Sequence, residues 1–152
     1  MIRKLKKFRR LSFKEKKLFI EAYVTLGIMR AAILRVPFDR LTRSLEHKKN
    51  GIELNPLANE ERQAALEVGQ VIGRASGCTP WVSTCLAQSL TAQRMLQKRG
   101  IPGVFYLGAA KDTDVKEKMK AHSWSQCGDV IVTGEEGYGN FKVLSVFGWG
   151  IK

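Results

Sequence analysis

The chain has 152 residues, enough for one well-buried domain and too few for two ordinary ones. Its apolar content of 44% is that of a folded protein and excludes disorder throughout. The net charge of +12 is unevenly placed: residues 1–17 carry nine Lys/Arg against Glu15 alone, so +8 of it belongs to an N-terminal arm.

Such an arm can meet nucleic acid, an anionic membrane surface or an acidic protein. Nucleic-acid-binding segments interleave aromatic or polar readers with their charges, and here only Phe8 and Phe13 do so. Nucleic acid is therefore not the expected partner, whereas peripheral membrane contact through residues 1–17 stays open. Ser12 with Glu15 is a capping-box pattern that opens a long helix running to about Val36, before Pro37. Phe19, Ala22, Tyr23, Leu26, Met29 and Ile33 repeat along one side of it. Ile20, Val24, Ile28 and Ala31 add a second apolar side, which predicts a helix covered on much of its surface. The run Leu18–Leu34 is broken by Glu21 and Arg30, which argues against a membrane span.

A shorter helix over Phe38–Leu45 follows, then a turn or loop at His47–Gly51 and a break at Asn55-Pro56. Asn59 can cap the next helix, whose Ala64, Val68, Val71, Ile72 and Ala75 form a buried stripe ending at Gly77. Thr79 as N-cap with Pro80 at the first helical position predicts a helix from there to Gly100, ahead of Pro102. The period then changes to that of strands: Val104–Ala109, a charged connection Lys111–Lys120, Ala121–Gln126, a turn at Cys127-Gly128-Asp129, and Val130–Thr133. A loop over 134–139 leads to a last strand, Lys142–Phe147. Helices first, then an antiparallel sheet: the expected class is α+β, one domain, with a helical region over 1–75 and a core over 76–152.

Within that core stand Cys85 and, 37 residues later, His122. A helix N-terminus favours negative charge, and a nearby imidazole can take a thiol proton, so the two are the minimum for cysteine-based acyl transfer. His122 and Trp124 share one face of their strand. If Trp124 packs against the cysteine helix, His122 points the same way. The bland alternatives are a small buried hydrophobe for Cys85 and a satisfied core or edge residue for His122. The three cysteines, Cys78, Cys85 and Cys127, are odd in number and lack zinc-ligand spacing with histidines. They predict free thiols in a reducing cytoplasm, with no metal or cofactor. The basic start lacks the apolar stretch of a secretory signal. Cys127, and His47 in its charged loop, carry no defensible role.

Pro80-Trp81, Thr84-Cys85-Leu86-Ala87-Gln88-Ser89-Leu90, Leu96-Gln97-Lys98-Arg99-Gly100, Phe105-Tyr106-Leu107-Gly108 and Ala121-His122-Ser123-Trp124 occur in one order. Over about residues 65–148 they resemble the transglutaminase-like leader peptidase of lasso peptide biosynthesis, in its stand-alone form. The resemblance implies a papain/transglutaminase-like core with the nucleophile-bearing helix packed on an antiparallel sheet. It implies that Cys85 is the nucleophile, His122 the general base and later acid, and Trp81 and Trp124 substrate contacts. Implied partners are the precursor peptide, a separate leader-binding protein and an asparagine-synthetase-like cyclase.

The third catalytic member is where the chain departs from the family, which commonly has an Asp at about the position of Gly134. A hairpin turned at Gly128-Asp129 places His122 opposite Glu135 and Trp124 opposite Thr133. Asp129 then lies ~20 Å away at ~3.3 Å per residue. Glu135, Thr133 or a backbone carbonyl is left to orient the ring. The function expected is leader cleavage; the rival is a non-catalytic module that presents the precursor to other proteins.

Overall fold

The basic arm forms a helix of its own, α1 (Ile2–Arg9), in the computed structural model, which describes residues 2–49, 51–111 and 119–150. Ser12 then restarts the chain. Its hydroxyl accepts the Glu15 N–H at 3.2 Å while Glu15 Oε2 accepts the Ser12 N–H at 3.4 Å, the reciprocal box its spacing predicts. Caps of this kind are worth about 1 kcal/mol, and this one starts α2 (Phe13–Arg35), which ends at Val36 before Pro37.

The helix expected over 38–45 is a single turn, α3 (Phe38–Leu41). The loop expected at His47–Gly51 instead begins with a strand, β1 (Glu46–Lys48). Its local composition carries no strand signal; pairing with a distant strand makes it one. α4 (Asn59–Ser76) is capped one residue earlier than expected, at Ala58, whose N–H is taken by Glu61 Oε1 at 3.1 Å. Its buried residues are Ala65, Val68, Val71, Ile72 and Ala75, the expected stripe with Ala65 in place of Ala64.

The cysteine helix starts later than the Thr79-Pro80 pattern suggests. α5 (Cys85–Lys98) is capped by Thr84, whose Oγ1 accepts the Ala87 N–H at 3.2 Å. Thr79 turns its hydroxyl to Ser83 Oγ at 2.8 Å and to the Ser76 carbonyl at 3.2 Å. The reason lies in Trp81, which meets Tyr23 of α2 edge-on at 5.2 Å and holds the 79–84 segment out of helical geometry.

β2 (Gly103–Lys111), β3 (Met119–Cys127), β4 (Val130–Thr133) and β5 (Lys142–Trp149) complete the sheet, in the order β1-β5-β2-β3-β4 with every neighbouring pair antiparallel. β4 has its expected limits and β2, β3 and β5 run slightly beyond theirs, while most of the charged connection between β2 and β3 lies outside the described residues. Gly128, at φ +54, and Asp129 make the two-residue turn as expected, but the register beyond it differs. Cys127 faces Val130 and Gln126 faces Ile131; an irregularity then sets Ser125, not Trp124, opposite Thr133. Val132 is the extra residue of a bulge, so the pairing of His122 with Glu135 does not form.

α4 and α5 cover one face of the sheet, and α2 packs across these two helices in a shared core. Leu26, Ile72, Leu90, Leu96 and Phe105 are fully buried there, each worth about 1.5–3 kcal/mol. The other face is covered in part by the segment after β1, where Ile52 and Leu54 pack on Val104, Tyr106 and Val146. This is the α+β architecture expected.

Candidate active site

Cys85 is the first residue of α5, half-buried and not in a disulfide. Its position leaves the first amides of the helix without intrahelical acceptors, a setting suited to a developing anion. The helix is fixed to the sheet one turn later by hydroxyls. Ser123 Oγ of β3 donates to Ser89 Oγ at 2.8 Å, Thr133 Oγ1 lies 3.5 Å from Ser89 Oγ, and Ser125 Oγ lies 2.6 Å from Thr133 Oγ1. All four residues are buried. Sequence reasoning passed over this network, although serines alternating at 123 and 125 within an apolar strand were a signal for it.

The same network fixes which way β3 faces. Ser123 and Ser125 look toward α5, so His122 and Trp124 look away from it. Trp124 does not pack on the cysteine helix: it stacks on Tyr106 at 5.2 Å and meets Tyr138 at 5.8 Å. His122 and Trp124 do share a face, with ring centroids 5.7 Å apart, and the Phe141 ring lies 4.9 Å from the imidazole.

The His122 Nε2 sits 2.8 Å from the carbonyl oxygen of Gly134. A carbonyl only accepts, so Nε2 carries the proton and Nδ1 is the lone-pair nitrogen of the neutral ring. The group that orients the imidazole is thus a backbone carbonyl, one of the three candidates that the sequence left open. Glu135, one residue on, is exposed, and no hydrogen bond joins it to His122 among the described residues. Asp129 is engaged elsewhere, with Arg62 Nε 3.3 Å from its Oδ1. Nor does a hydrogen bond join Cys85 to His122 among the described residues; the two occupy neighbouring elements on opposite sides of the β3 backbone.

Trp81, in the segment before Cys85, seats its ring on α2 beside Tyr23 and Gly27. A Cβ at Gly27 would lie 3.0 Å from its ring, and its Nε1 is buried with no partner among the described residues. Trp124 is 4% exposed. Trp81 itself is half-buried. A separate cleft of about 510 Å³, lined by Glu46, Lys48, Ile52, Leu54 and Pro102 among others, contains neither Cys85 nor His122. No group of three or more His, Cys, Asp or Glu suited to a metal ion occurs among the described residues.

A family profile described as Transglutaminase-like superfamily matches residues 30–146, well over half of the chain. The chain belongs to that superfamily. No curated protein and no solved structure matches it. The matched span takes in α4, α5 and the greater part of the antiparallel sheet, an α+β arrangement consistent with a transglutaminase-like core. The match begins at residue 30, so α1 and most of α2 precede it. Among the described residues no helix is long and apolar enough to cross a membrane.

Proposed function

We propose that this protein is a cysteine peptidase that cleaves the leader from a ribosomally made lasso peptide precursor. Cleavage frees the core amine, which an asparagine-synthetase-like cyclase then joins to an Asp or Glu side chain. A separate leader-binding protein captures the precursor for it. The observation that carries the reading is Cys85 as first residue of α5 in a transglutaminase-like core.

In the proposed mechanism Cys85 Sγ attacks the scissile carbonyl carbon as His122 Nδ1 takes the thiol proton. The oxyanion is held by amides of the α5 N-terminus, including that of Cys85. His122 returns the proton to the departing core amine, leaving the leader as a thioester on Cys85. Water, giving its proton to His122, attacks that thioester and releases the leader carboxylate. The pair must first assemble. His122 has to swing past the edge of β3, and the Gly-rich 134–141 loop over its ring is the element that has to yield. Catalytic hydrogen bonds commonly tighten only when substrate binds.

The test is cleavage of a synthetic precursor with the leader-binding protein present. Cys85→Ala and His122→Ala abolish release while leaving the circular dichroism spectrum unchanged. Core peptide released by Cys85→Ala at the wild-type rate would remove the enzyme assignment.

One observation favours a second reading, a non-catalytic module that presents the precursor to other proteins: His122 faces away from α5. Iodoacetamide near pH 6 separates the two. A nucleophilic Cys85 is alkylated well ahead of the exposed Cys78, whereas a module labels both slowly and equally.

A further inference from the structure

α2 is apolar on two sides, and only one of them is covered. Ala22, Thr25, Leu26 and Met29 are buried against the core. On the opposite side Phe13 is 84% exposed, Ile20 53%, Val24 51% and Ile28 50%, with Leu34 beside them at 67%. At 100° per residue Phe13, Ile20, Val24 and Ala31 fall within about 40° of one another, so they form one stripe. From Phe13 to Leu34 it runs ~30 Å at 1.5 Å per residue. An exposed apolar strip of that length, broken between Phe13 and Ile20 by Lys17, marks a contact on a protein surface. Nothing described in this chain lies over it, contrary to the expectation from sequence.

Its surroundings say what fits. Residues 1–38 hold eleven Lys/Arg and two acids, Glu15 and Glu21. Both acids are engaged within the protein, Glu15 in the cap of α2 and Glu21 with Arg99. Lys17 and Arg35 fall on the stripe's own side of the helix, and the sequence ahead of α2 carries five basic residues in α1 and a sixth in Arg10, with Ile2 72% exposed. Apolar residues flanked on a helix by cations, preceded by a basic helix, suit the interface of an anionic bilayer. α2 does not qualify as a membrane-spanning helix, so it would lie along the surface rather than cross it. The stripe lies mostly ahead of the superfamily match, so the conserved core does not explain it.

We infer that α1 and the outer side of α2 form a docking surface for an anionic membrane, with Phe13, Ile20, Val24 and Ile28 entering the headgroup region and the basic arm supplying the attraction. Gly27, at the edge of the stripe, carries the Trp81 ring of the segment leading into Cys85, so docking sets the candidate site beside the bilayer. The inference does not depend on the chain being a peptidase.

The experiment is co-sedimentation of the full chain with vesicles of phosphatidylcholine alone or mixed equally with phosphatidylglycerol. Expected are binding to the mixed vesicles, little to the neutral ones, and release when salt is raised from about 0.1 to 0.5 M. Ile20→Ser/Val24→Ser/Ile28→Ser, checked for an unchanged melting transition, lowers partitioning roughly tenfold with the arm intact. Absence of binding to the mixed vesicles, or equal binding by the triple variant, would overturn the inference. So would gel filtration showing a dimer that the triple variant dissolves, which would assign the stripe to a second copy. A complex with the leader-binding protein lost in the triple variant, without vesicle binding, would assign it to a protein partner and overturn the inference equally.

Discussion

The imidazole of His122 is held by the peptide carbonyl of Gly134, 2.8 Å from Nε2, and Gly134 holds that carbonyl in place from a left-handed backbone conformation at φ +74. A Cβ there would stand 2.4 Å from the Ser123 carbonyl oxygen and 2.8 Å from Trp124 Cβ. Gly134→Ala therefore meets both a strained φ and rigid backbone, and is expected to lower stability by about 2 kcal/mol or more in guanidinium unfolding. Cleavage should fall with it. Glu135→Gln, by contrast, should leave the rate within about threefold of wild type, because the ring nitrogen already has its acceptor. A loss much larger than that would show Glu135 reaching the ring in the substrate complex.

The hydroxyls joining α5 to β3 and β4 form a buried chain in which each link depends on the next. Ser89→Ala removes the acceptor of the Ser123 hydroxyl, 2.8 Å away, and leaves it buried without that partner. A cost of about 1–3 kcal/mol is expected. Ser89→Ala/Ser123→Ala should cost less than the sum of the single changes. Strict additivity in a double-mutant cycle would mean that the hydrogen bond contributes nothing.

Glu21 ties α2 to the C-terminal end of α5: Arg99 Nη1 and Nη2 donate to its two carboxylate oxygens at 3.0 and 2.7 Å. The hydrogen bonds from Arg99, reinforced by its charge and that of Lys98, hold the Glu21 carboxyl below its ordinary value near 4.5 despite partial burial. A carboxyl depressed on folding contributes stability that is fully present above its unfolded value and lost as pH falls through the lower folded value. Glu21→Gln should cost about 0.5–1.5 kcal/mol at neutral pH and much less near pH 3. Melting temperatures of wild type and variant that differ equally at pH 7 and pH 3 would contradict this.

Burial, with a smaller contribution from Glu61, pushes the Cys127 thiol up from its ordinary value of 9.0 to about 12. Native Cys127 should resist iodoacetamide at pH 8 while Cys78 reacts, and should react once the chain is unfolded. The unfolded chain releases this proton near pH 9 and the folded one does not, so stability falls across the window from about 9 to 12. The slope from this one group is at most about 1.4 kcal/mol per pH unit. Cys127→Ala should flatten that alkaline decline, measured as the urea midpoint against pH; an unchanged slope would show that other groups cause it.

Local chemistry in the sequence determined much of this protein. Ser12 and Glu15 specify their cap because both partners lie within one turn, and Val68, Val71, Ile72 and Ala75 specify a buried side because a helix repeats every 3.6 residues. The shift to strand periodicity after Pro102 specified the α+β order, and the motifs around Cys85 and His122 pointed to the superfamily that the chain matches.

Tertiary structure decided what periodicity leaves open, namely which side of an element meets what. β1 exists because His47 pairs with Phe147, a hundred residues away, and its ring stacks on the phenyl at 4.6 Å. Thr84 instead of Thr79 caps the cysteine helix because Trp81 is seated on α2. The bulge at Val132 moves Thr133 from Trp124 to Ser125, and the Ser123–Ser89 bond turns His122 to the far side of β3. An alternating strand or a two-sided helix has no preference of its own between its sides; that choice comes from neighbours distant in sequence, as does the exposure of α2's second apolar side.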